Sequence, residues 1–135
     1  MKNPFDIFNI IPQFDIDLST LTVRYRELAQ AFHPDVYQEE KDNSTMEDIN
    51  AAYLILKSPI KRAKTLLELQ GVTVDEEQTL SDPEILEEIF ALKMSGDQNL
   101  ADQKRQEAIE AFNTAFLAQH APTMLQAYWR LRYLP

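Results

Sequence analysis

The sequence predicts an all-α protein: a helical hairpin with flanking helices in the N-terminal half, followed by three further helices in the C-terminal half. Three observations predict this. Leu18, Leu21, Tyr25, Leu28 and Phe32 recur at i, i+3, i+7, i+10 and i+14, the spacing of one helix face. No segment alternates apolar and polar residues long enough to make a strand. Only two glycines are present, Gly71 and Gly96. The turns of a β-sandwich or the phosphate loop of a nucleotide-binding α/β fold normally need more.

The elements follow from proline, glycine and capping residues. Pro4 to about Ile10 is a short helix with Phe5 and Phe8 on one face. Pro12 to Asp17 is a loop, and Asp17 or Ser19 caps the next helix. That helix stops near His33, because Pro34 disfavours the helical conformation in the residue before it. Residues 33–43 are polar and aperiodic and read as a loop. Ser44 or Thr45 opens a helix with the stripe Ile49, Ala52, Tyr53 and Leu56. Ser58-Pro59 supplies a cap and a first helical position for a helix through Leu66 and Leu67, and Gly71 stops it.

An acidic linker follows, residues 72–81. Asp82-Pro83 opens a helix carrying Ile85, Leu86, Ile89, Phe90 and Leu92, which Gly96 ends. A long helix places Ala101, Ala108, Ala111, Phe112, Ala115 and Phe116 on one side. Ala121-Pro122 breaks it, and a last helix runs through Leu125, Tyr128, Trp129 and Leu131. Three domain segments result: 1–71, the linker 72–81, and 82–135. His120 reads as a helix-end residue, and Tyr128 and Trp129 as core.

Composition limits the function classes. The 135 residues are 44% hydrophobic and 26% charged, a globular balance. Cysteine is absent, which excludes disulfides, thiolate metal sites and cysteine nucleophiles. A net charge of −9 argues against nucleic acid or an anionic membrane as partner. No apolar run reaches the length of a membrane span, and the N-terminus lacks a signal-peptide pattern. The expectation is a cytoplasmic protein. No constellation suits catalysis: the adjacent acids Glu87 and Glu88 diverge by about 100° around a helix and do not converge on one substrate. No metal or cofactor is expected.

His33-Pro34-Asp35 is the motif that carries function. It directly follows a strongly amphipathic helix, and a second amphipathic helix of matching length comes after it. Tyr25-Arg26-Glu27-Leu28-Ala29-Gln30-Ala31-Phe32-His33-Pro34-Asp35 resembles the J-domain signature, in which a helical hairpin presents His-Pro-Asp at its tip. Ile49-Asn50-Ala51-Ala52-Tyr53, Leu56, Pro59, Arg62-Ala63, Leu66-Leu67 and Leu69-Gln70-Gly71 narrow this to a resemblance to the HscB family, J-domain co-chaperones of iron–sulfur cluster assembly. Leu131-Arg132-Tyr133-Leu134 is similar to that family's last-helix pattern.

The resemblance implies a binding protein and no enzyme. Its J-domain docks on a DnaK/HscA-type chaperone and stimulates ATP hydrolysis there. Its C-terminal three-helix bundle holds an iron–sulfur scaffold protein of the IscU type and delivers it as client. Residue by residue, it implies that His33, Pro34 and Asp35 bind the chaperone, together with Arg24 and Arg26. It implies that Ile85, Leu86, Ile89 and Tyr133 bind the scaffold, with Glu88 nearby. The chain itself is expected to be a monomer or to self-associate weakly. Phe90 and Ala91 stand where the family tends to have an acidic residue, and the sequence stops at Pro135, where longer members continue their last helix.

Each assignment has a simpler counterpart. Arg24 and Arg26 fit a solvated face as well as a docking surface. Lys61, Arg62 and Lys64 fit a solvated or intramolecular role, with Arg62 paired to an acid within the same domain. At least one of Ile85, Leu86 and Ile89 must face the bundle core. Two other functions stay open: a J-domain adaptor with a different client, and a helical interaction protein with a degenerate J-like hairpin.

Overall fold

The computed structural model describes residues 3–32, 42–75 and 80–135. Among them all regular structure is helical: α1 (Pro4–Ile7), α2 (Leu18–Phe32), α3 (Asp42–Lys57), α4 (Pro59–Leu69), α5 (Pro83–Ser95), α6 (Gln98–Leu117) and α7 (Ala121–Tyr133). They form two compact units, residues 1–62 and 63–135, and the division runs through α4.

Local chemistry explains most helix boundaries. The Asp6 amide donates to Asn3 Oδ1, and Pro4 takes the first helical position of α1. Asp17 begins α2: its carboxylate accepts from the Ser19 amide at 2.9 Å and from the Thr20 hydroxyl at 3.0 Å. The Thr20 hydroxyl, then the Ser19 and Thr20 amides, hold the Asp17 carboxyl below its ordinary range. Ser58 and Asp82 cap α4 and α5, each with proline at the next position. Helix α3 is helical from Asp42, two residues ahead of the expected Ser44. Aspartate and serine suit a helix start equally, so residue type did not separate them.

Three helices end in the same device. After α4, the Gly71 amide donates to the Glu68 carbonyl and the Val72 amide to the Leu67 carbonyl, with Gly71 at φ +86°. This is a Schellman motif, which satisfies two otherwise orphaned carbonyls. The same pair of bonds closes α1 around Asn9, at φ +54°, and α6 around Gln119, at φ +57°. Asn9 therefore ends α1 at Ile7, short of the Ile10 expected from sequence.

In the first unit Phe5, Phe8, Phe14, Leu21, Ile49, Ala52 and Leu56 are buried. Burying each leucine, isoleucine or phenylalanine among them contributes about 1.5–3 kcal/mol. Helix α3 packs against both α1 and α2. The rings of Tyr25 and Tyr53 stack at 4.3 Å, Phe8 meets Tyr53 at 6.5 Å, and the Tyr25 hydroxyl donates to Asn50 Oδ1 at 2.6 Å.

In the second unit α7 packs against α6 and α5. Ile85, Ile89 and Leu92 on α5, Ala108, Phe112 and Ala115 on α6, and Met124, Ala127, Tyr128 and Trp129 on α7 are buried. The small side chains of Ala108 and Ala115 suit a close approach of helices, and Phe112 is fully buried in this core. His120 caps α7: its Nδ1 accepts from the Thr123 amide at 3.3 Å. Between α4 and α5, Val74 and Leu80 are buried, so the described ends of the acidic segment are packed. None of the described helices is long and apolar enough to cross a membrane.

Candidate functional site

The candidate site of the first unit is the segment joining α2 to α3. His33, Pro34 and Asp35 lie outside the described residues. What is described is their support. They directly follow Phe32, the last residue of α2, and α2 is held to α3 by the Tyr25–Tyr53 stack and the Tyr25–Asn50 hydrogen bond.

The two arginines of α2 differ. Arg24 Nη1 donates to the Phe8 carbonyl at 2.8 Å and the Asn9 carbonyl at 2.7 Å. It thus caps the C-terminal end of α1, where a cation also suits the helix dipole. The guanidinium of Arg24, expected from sequence to be a docking residue, is engaged within the unit. Arg26 is exposed.

The basic cluster on α4 is likewise divided. Lys61 is exposed, while Arg62 is buried. Arg62 Nη1 donates to the Leu56 carbonyl at 2.7 Å, and its guanidinium lies over the Phe14 ring at 4.8 Å. Burial pulls its pKa below the ordinary guanidinium value, and the charge of Asp15 opposes that pull. The expected pairing with an acid is therefore a coulombic one, and the direct hydrogen bond goes to the backbone.

On α5 the scaffold-binding residues inferred from sequence separate onto two faces. Ile85 and Ile89 are 1% and 5% exposed, and with Leu92 they form the buried stripe. Leu86 is 45% exposed, and Phe90 and Met94 are 66% and 72% exposed. Of Ile85, Leu86 and Ile89, only Leu86 is exposed in this structure. The apolar face that α5 presents is Leu86, Phe90 and Met94, spaced i, i+4, i+8. The signal was in the sequence: a 13-residue helix with two apolar stripes has one more than the bundle can bury.

Glu88 flanks the buried stripe and is paired. Arg130 Nε on α7 donates to Glu88 Oε2 at 3.1 Å. At the end of α7, Tyr133 is half-buried and stacks on Trp129 at 6.0 Å. The Arg132 guanidinium lies 5.5 Å from the Trp129 ring and 5.4 Å from the Tyr133 ring. Arg105 on α6 donates to the Pro135 carbonyl. Among the described residues, no three His, Asp or Glu side chains converge as metal ligands.

Known proteins resemble the chain over both units. The DnaJ domain model matches residues 3–65. The co-chaperone protein HscB homolog of Shewanella frigidimarina is 39% identical over 83 residues, which is 57% of this chain and 48% of that protein. The co-chaperone protein HscB homolog of Vibrio vulnificus is 33% identical over 134 residues, 92% of this chain and 78% of that one. The solved structure of chaperone HscB from Vibrio cholerae matches with a TM-score of 0.80, covering 98% of this chain and 90% of that chain at 23% identity.

Proposed function

The chain belongs to the HscB family of J-domain co-chaperones, and from that premise we propose that it stimulates the ATPase of a DnaK/HscA-type chaperone and delivers to it an iron–sulfur scaffold protein of the IscU type. ATP is bound and hydrolysed by the chaperone, and this chain takes no chemical step. The observation that carries the reading is the pairing of α2 with α3, with His33-Pro34-Asp35 in the short segment between them.

The chemistry of that triad suits docking. Pro34 fixes the backbone and keeps the segment from continuing α2. Asp35 offers a carboxylate to an arginine of the chaperone. His33 offers ring nitrogens as hydrogen-bond donors. Arg26, exposed on α2, adds a cation to this surface and acts on association rate and orientation. Residues 1–71 form the chaperone-binding domain, 72–81 the linker, and 82–135 the client-binding bundle.

The client surface is the exposed stripe Leu86, Phe90 and Met94 on α5, with the surrounding acids and Tyr133 contributing. An apolar patch rimmed by charge is the usual composition of a protein-binding face. The test is His33→Gln. It is expected to abolish stimulation of the chaperone's ATPase and leave helix content unchanged. Stimulation equal to the parent's removes the motif assignment. A chain that stimulates the chaperone but does not retain the scaffold in a pull-down is a J-domain adaptor with another client.

A further inference from the structure

We propose that Met94 is a modification site at which peroxide oxidises the thioether to a sulfoxide and thereby weakens client docking; the inference rests on the reading of α5 as the client-docking helix. The described methionines occupy three environments. Met124 is fully buried, Met46 is half-buried, and Met94 is 72% exposed. Oxidation of a thioether follows access to its sulfur, so Met94 reacts ahead of Met124.

The step balances without a metal or cofactor. The Met94 sulfur attacks one peroxide oxygen, an S–O bond forms and the O–O bond breaks. The other oxygen takes the protons and leaves as water. Sulfur loses two electrons and the peroxide gains them.

Placement makes the product disruptive only on docking. Met94 lies in the last turn of α5, one residue before the final Ser95, and it completes the stripe begun by Leu86 and Phe90. In the free protein a sulfoxide there stays in water, and the buried face of Ile85, Ile89 and Leu92 is untouched. Against a client it must be desolvated, and a strongly polar S–O group in an apolar contact is unfavourable without a donor. A flexible, polarisable contact becomes a polar one, which is the known liability of methionine at interfaces.

The experiment treats the full chain with limiting hydrogen peroxide, maps the oxidised peptides by mass, and titrates the IscU-type scaffold. The expected result is one added oxygen at Met94 before any at Met124. Scaffold affinity falls about tenfold, the scale for losing one partly buried methionine contact. The thermal unfolding midpoint stays unchanged, and methionine sulfoxide reductase restores the affinity. Met94→Leu, compared with itself before and after peroxide, is expected to show no peroxide-dependent loss of scaffold affinity, whatever its own starting affinity. Oxidised chain that binds like untreated chain, or a Met94→Leu chain still weakened by peroxide, overturns the proposal. Untreated chain that does not bind scaffold overturns the docking role of α5, and this inference falls with it.

Discussion

Arg130 on α7 donates through Nε to Glu88 Oε2 on α5 at 3.1 Å, with the two side chains 31% and 30% exposed. It is a part-buried tie between α5 and α7. Glu88 flanks the buried stripe, on the side of α5 away from Leu86, Phe90 and Met94.

A double-mutant cycle measures this tie. Glu88→Gln and Arg130→Met are each expected to lower the unfolding free energy by about 1 kcal/mol, and the coupling between them is expected near 0.5–1 kcal/mol. Denaturant unfolding of the four chains gives the numbers. A coupling of zero means the pair holds nothing together.

The two faces of α5 separate stability from binding. Ile85→Ala removes a buried side chain and is expected to cost about 2–4 kcal/mol in urea unfolding. Leu86→Ala and Phe90→Ala, on the exposed face, are expected to stay within about 0.5 kcal/mol of the parent and to weaken scaffold retention. Normal scaffold binding by the Leu86→Ala, Phe90→Ala double variant sinks the assignment of that face.

Arg24 and Arg26 are expected to part in the same way. Arg24→Ala leaves the Phe8 and Asn9 carbonyls without their donor and is expected to destabilise by about 1–2 kcal/mol. Arg26→Ala is expected to leave stability within about 0.5 kcal/mol and to slow association with the chaperone, more so at low salt. Equal unfolding midpoints for the two variants contradict the capping role of Arg24.

Gln119 holds φ at +57° in the Schellman ending of α6, a conformation that disfavours any residue with a Cβ. Gln119→Gly is expected to raise the unfolding free energy by about 1 kcal/mol without changing function. The same substitution lowering stability would show that the strain is absent.

The helix ends show what was legible in the chain and what was not. Pro59, Gly71, Pro83 and Gly96 act on their own backbone, so their boundaries could be read directly. Gln119 carries positive φ only because the hydrogen bonds of the motif impose it, and nothing in its residue type announces that, whereas Asn9 is of a type that tolerates the left-handed region, a weaker signal than glycine. Ile85 and Leu86 were equally apolar in sequence. Which of two stripes faces inward depends on where α7 packs, a contact more than thirty residues away. Arg24 acts on carbonyls 15 and 16 residues earlier, a span that helical periodicity does not register. The His33-Pro34-Asp35 motif was visible as sequence, and its geometry belongs to residues outside those described.

The single tryptophan of the chain, Trp129, is buried in the bundle unit, stacked near Tyr133 and within reach of the Arg132 charge. Its fluorescence is therefore a private channel to residues 63–135, silent about the tyrosine stack of the first unit. Read beside far-ultraviolet dichroism, which sums every helix, it reveals whether the two units melt together or one after the other without a label being attached to either.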